Sequence, residues 1–116
     1  MAGSKRWLIC FGPAVFGGSL AKTDEARIIG KQLLRSATSV AANYRAVCRS
    51  RSSAEFYSKI SIVVEEADES VFWLEIIIEA GILPAKRVGE LLKEANEILS
   101  VVGKARFTAS QNYFKK

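Results

Sequence analysis

Residues 52–81 constrain the fold more than any other stretch of this chain. Apolar residues recur there at Ile60, Val64, Ala67, Val71, Leu74 and Ile78, a spacing of 4, 3, 4, 3 and 4. That is the seam of a helix buried along one side. Ser52 as N-cap, with Glu55 three residues on, predicts a capping box, and Gly81 supplies the C-terminal stop. A helix of about 28 residues is roughly 42 Å long. A chain of 116 residues has room for few such rods, and they must lie side by side.

The flanking segments carry the same signal. Thr23-Asp24-Glu25 offers an N-cap and early acids suited to the helix dipole. The stripe that follows is Ile29, Leu33, Ala37, Val40, Tyr44 and Val47. Gly30 weakens that helix by about 1 kcal/mol relative to alanine. The polar link Ser50-Arg51-Ser52 is short, so the helices it joins are antiparallel neighbours. Pro84 sits just inside the start of a last helix, where its missing N–H costs little. There Val88, Leu91, Ala95, Ile98, Val102 and Ala105 repeat at intervals of 3 and 4. The expected helices are 23–50, 52–80 and 84–109, followed by a polar, basic tail over 110–116.

Residues 1–21 do not fit this pattern. Their apolar residues fall in clumps, and Gly12-Pro13 and Gly17-Gly18 interrupt any helix. A signal-peptide reading exists, with a basic start and Ser19-Leu20-Ala21 as a small-residue cleavage site, but Gly12-Pro13 breaks its apolar stretch. The favoured expectation is an irregular hydrophobic arm or short first helix, packed on the bundle or on a neighbouring subunit. The whole is one domain, residues 1–116, with no internal repeat and no internal membrane span.

Charge is segregated along the chain. Residues 1–53 carry nine Lys/Arg against two Asp/Glu, a balance of +7; residues 54–80 carry one against seven, a balance of −6; residues 81–116 carry seven against three, a balance of +4. Basic helices packed around an acidic one would answer part of that charge internally. An anionic partner such as nucleic acid would answer the rest.

Chemistry is harder to find. Histidine is absent, which removes the commonest general base and the usual zinc and di-iron ligands. Glu65, Glu66, Asp68, Glu69, Glu75 and Glu79 share one helix. Ala67 and Val71 hold its inward positions, so the acids read as a solvated or inter-subunit face and no metal is expected. No glycine loop has a phosphate-cradling pattern. No cofactor is expected, and enzyme activity has no residue to rest on. Cys10 and Cys48 are too few and too far apart for a disulfide framework; Cys48 reads as a small buried residue, and two free thiols suit a reducing cytoplasm.

The basic residues say more. Arg27, Lys31 and Arg35 are spaced by four and line one helix face, while Arg45, Arg49 and Arg51 cluster near that helix's C-terminal end, with Tyr44 nearby. Complementing the helix dipole is one role for the second cluster; contacting phosphates is another. Asn43, beside the apolar stripe, is expected to hydrogen-bond within the core or across subunits.

The run from Gly30-Lys31-Gln32-Leu33-Leu34-Arg35 to Asn43-Tyr44-Arg45-Ala46, followed by Arg49-Ser50-Arg51 and Phe56, resembles a known family. So does Glu65-Glu66-Ala67-Asp68-Glu69-Ser70 leading to Trp73-Leu74-Glu75. Together, over roughly residues 26–109, these motifs are similar to the bacterial four-helix-bundle family called S23, or 23S rRNA intervening-sequence proteins. The resemblance implies an up-down-up-down bundle assembled as a ring, usually a pentamer, with no known catalysis. It also implies a relation to the accessory protein of diversity-generating retroelements, a basic pentamer that binds a reverse transcriptase and nucleic acid. This chain departs from the family where its first helix should be, in the Gly/Pro-broken segment 1–21.

The sequence therefore predicts an all-α, antiparallel up-and-down four-helix bundle whose first helix is short or irregular. It is expected to be a cytoplasmic homo-oligomer that is not an enzyme and binds RNA or DNA through Arg27, Lys31, Arg35, Arg45, Arg49 and Arg51. Two alternatives stand beside this. One is a protein–protein adaptor or accessory subunit of a nucleic-acid enzyme such as a reverse transcriptase. The other is a purely structural, self-assembling bundle.

Overall fold

A computed structural model of the chain describes residues 23–114. Expectations for residues 1–21, whether arm, short first helix or signal peptide, lie outside the described residues, as does Cys10. Among the described residues there are three long helices and no strand: α1 (Asp24–Cys48), α2 (Ser53–Glu79) and α3 (Ala85–Phe114). They run up, down and up in chain order. The middle helix α2 packs against both α1 and α3.

Each boundary has a local cause. Thr23 is extended, and its hydroxyl accepts from the Ala26 N–H at 3.1 Å, capping α1. Ser52 does the same for α2 through the Glu55 N–H at 3.1 Å. The expected capping box is only half formed. Glu55 accepts from the backbone N–H of Arg51 at 3.4 Å rather than from that of Ser52.

At the other end of α2, Gly81 takes φ +70°. The Ile82 N–H reaches the Ile77 carbonyl at 3.0 Å and the Gly81 N–H reaches that of Ile78 at 3.1 Å. This pair of bonds closes the helix with a left-handed residue, a conformation glycine adopts without a side-chain penalty. Pro84 stands one position earlier than expected, in front of the first helical residue of α3, with its carbonyl accepting from the Arg87 N–H at 2.9 Å. The same helix continues to Phe114 instead of giving way to a tail at residue 110.

The core contains Leu33, Ala37 and Val40 from α1, Ile60, Val63, Ala67, Leu74 and Ile77 from α2, and Val88, Ala95, Ile98 and Val102 from α3. The α2 seam differs from the expected one. Val63 and Ile77 are fully buried, whereas Val64 and Ile78 are half-buried against the core. A helix flanked on both sides needs a wider apolar face than a two-helix seam, and its 3.6-residue turn drifts away from a strict heptad.

Two serines occupy core positions as well. Ser36 and Ser70 are fully buried, one on α1 and one on α2. Cys48 is exposed, contrary to expectation. Val47 takes the core-facing place in the last turn of α1, and the next residue lies about 100° further round the helix. Asn43 bonds locally, its amide donating to the Ser39 carbonyl at 2.9 Å and hydroxyl at 3.0 Å. No helix among the described residues is long and apolar enough to cross a membrane.

Candidate nucleic-acid interface

The antiparallel order of the helices divides the six basic residues singled out in the sequence. Arg27, Lys31 and Arg35 lie on the N-terminal half of α1, beside the C-terminal half of α2. Arg45, Arg49 and Arg51 lie at the opposite end, around the link from α1 to α2. They do not form one surface.

Two of the first three are answered within the chain, whereas Lys31 is exposed and makes no ion pair among the described residues. Arg27 pairs with Asp24 one turn earlier. Arg35 reaches across to α2, with Nη2 donating to Glu69 at 2.5 Å and Nη1 to Glu66 at 3.3 Å. The hydrogen bond from Arg35 holds Glu69 below the usual carboxylate range; desolvation opposes this, and a bond from the Trp73 indole at 3.2 Å assists it. Arg35 is held more firmly protonated by the hydrogen bond to Glu69 and the charge of Glu66. Part of the acidic face on α2 is thus an intramolecular partner for α1.

The second three are exposed, and among the described residues none of their side chains makes an ion pair. Arg45 lies in the last turn of α1, where the helix dipole favours positive charge. A further cation that sequence reading missed joins this end. Arg106 on α3 stacks over the Tyr57 ring, 5.9 Å from its centroid, and donates to the Ser61 hydroxyl at 3.2 Å. The pointer available in the sequence was indirect: if α3 runs antiparallel to α2, its C-terminal half returns to the 50–52 link.

Charge is therefore separated along the bundle axis. Residues 23–112 carry twelve Lys/Arg and twelve Asp/Glu, so the excess of +5 lies in Lys5, Arg6, Lys22, Lys115 and Lys116. Among the described residues, cut across near the middle of each helix, the end with the link holds six basic residues against two acidic ones, a balance of +4. The far end holds six against ten, a balance of −4.

A cleft of about 620 Å³ opens at the basic end. It lies between the link 50–53, Phe56 in the first turn of α2, and a stripe on α3 formed by Ala105, Thr108, Ala109 and Asn112. Phe56 and the two alanines supply apolar surface, and Arg51 the charge. The Ser50 hydroxyl is committed to the Val47 carbonyl at 2.7 Å and the Ser52 hydroxyl to its cap. Among the described residues the side chains of Ser53, Thr108 and Asn112 have no hydrogen-bond partner. No group of three or more Cys, Asp and Glu among the described residues is placed to hold a metal ion.

The sequence profile of the 23S rRNA-intervening sequence protein family matches residues 18–104. The chain belongs to that family. A crystal structure of a protein of unknown function from the S23 ribosomal protein family, from Bacteroides thetaiotaomicron VPI-5482, is similar to it, with a TM-score of 0.74 at 26% identity. The likeness covers 89% of this chain and 97% of that one. No curated protein matches the chain.

Proposed function

We propose that this family member is a non-enzymatic nucleic-acid-binding protein whose interface is the basic end of the bundle. The observation that carries the reading is the unpaired group Arg45, Arg49 and Arg51 at the +4 end, set against the paired Arg27 and Arg35 at the other. Three exposed guanidinium groups at one end form a compact site for phosphate oxygens. The ligand class is nucleic acid, RNA or DNA, because the phosphates that these arginines would meet are common to both. The reading includes the finer architecture that the resemblance implies: a four-helix bundle assembled as a ring of identical copies in a bacterial cytoplasm.

The test is fluorescence anisotropy with labelled single-stranded RNA across a range of salt. Three phosphate contacts predict a slope of log K against log salt of about −2. Replacing Arg45, Arg49 and Arg51 together by glutamate should abolish binding, while Arg27→Glu should leave it nearly unchanged. Unchanged, salt-sensitive binding by the triple variant would refute the assignment. A protein partner that copurifies and survives nuclease treatment, with no RNA bound, would favour the accessory-subunit role instead.

A further inference from the structure

We propose that the cleft at the basic end is a nucleobase pocket, taking one unpaired base of a single strand whose flanking phosphates lie on Arg45, Arg49 and Arg51. The inference rests on the nucleic-acid reading above and adds to it what that reading leaves open, namely how single strands are preferred over duplex.

Three features of the cleft match a base. Its volume, about 620 Å³, falls inside the range of roughly 300–1,000 Å³ that small-ligand sites occupy. Its apolar surface comes from the Phe56 ring with Ala105 and Ala109, a combination on which the flat face of a base can stack. Its uncommitted polar groups are Ser53, Thr108 and Asn112. An amide offers a donor and an acceptor side by side, the pattern that pairs with a base edge.

The surroundings match a strand rather than an isolated apolar ligand. Arg51 is both a lining residue of the cleft and a member of the unpaired arginine group. A base entering the cleft therefore brings its own phosphate to a cation without a second contact surface. A base stacked in a duplex cannot enter a recess of this kind, so occupancy requires an unpaired nucleotide.

The experiment compares a short labelled single-stranded RNA with a strand of the same length in which every base has been removed. The two carry equal charge, so a difference between them reports contacts to the bases, and a variant of the cleft assigns those contacts. The expected result is tighter binding of the base-bearing strand by about tenfold, the lower part of the range for one stacked base. Phe56→Leu removes the ring but keeps an apolar side chain against the core, without altering charge, and should erase the difference while leaving binding of the abasic strand intact. Asn112→Ala, at an exposed position, should reduce it in part. Equal affinity for the two strands, or a difference that Phe56→Leu leaves intact, would overturn the pocket while the arginine interface stands. Failure of both strands to bind at low salt would overturn the interface and the pocket together.

Discussion

The Ser70 hydroxyl lies 2.9 Å from the Ser36 hydroxyl, joining α2 to α1 between two side chains that are both 0% exposed. Each hydroxyl has one proton to give. Ser36 donates to the Leu33 carbonyl at 3.0 Å, so Ser70 supplies the proton between them, and Ser70 also lies 2.9 Å from the Glu66 carbonyl. Either serine alone keeps a carbonyl acceptor on its own helix, so what needs both is the bond between the helices. Ser36→Ala and Ser70→Ala should each cost about 1 kcal/mol. The double variant should cost less than their sum, by about 0.5–1 kcal/mol. Urea unfolding of the four proteins measures this, and strict additivity would show the serines to be independent.

The core and the last turn of α1 should respond very differently to truncation. Leu74 is 1% exposed, and Leu74→Ala should cost about 2–5 kcal/mol through lost burial and the cavity left behind. Cys48→Ala, at an exposed position, should change stability by less than about 0.5 kcal/mol. In the native protein a thiol reagent should label Cys48 without denaturant, and protection of this cysteine would contradict its placement.

Alanine should act with opposite sign at two glycines. Gly81 holds φ +70° with open space around it, so Gly81→Ala meets no clash and costs only backbone strain, about 1 kcal/mol. Gly103 lies inside α3, again with nothing within 4 Å of an added Cβ. Gly103→Ala should stabilise by about 0.4–1 kcal/mol through reduced freedom of the unfolded chain. Thermal melts of the two variants should move in opposite directions.

The Arg35–Glu69 bond gives stability a defined pH dependence. Because the Glu69 carboxyl titrates lower in the folded chain than in the unfolded one, its contribution is present above the ordinary carboxylate range. It is lost as pH falls through the lowered value. Glu69→Gln should therefore be less stable than wild type at neutral pH and converge with it in acid. A constant gap between the two melting curves from pH 7 to pH 2 would exclude the assignment.

The helical part of the fold was legible because it rests on short-range physics. Thr23 and Ser52 stand where a hydroxyl can reach an N–H three residues ahead, and Gly81 where a left-handed residue must end α2. The stripes Leu33–Ala37–Val40 and Ala95–Ile98–Val102 read directly as inward faces. Antiparallel order followed from the length of the link alone.

What escaped the sequence depends on which helix lies beside which, and at what level. Val63 and Ile77 displaced the expected Val64 and Ile78 because α2 has neighbours on both sides. Nothing in the sequence marks Ser36 and Ser70 as buried; their bond to each other and the carbonyls of their own helices make that burial tolerable. The two basic clusters, expected to act together, differ in pairing, since Arg35 meets Glu66 and Glu69 more than thirty positions away. Arg106 joined Arg51 at one end from the far side of the chain. The sequence by itself determined where helices start, stop and turn a face inward, because those choices are made within a turn or two. Tertiary structure alone decided which charges are neutralised and which are left at an open end, because that depends on distances between helices that no local pattern encodes.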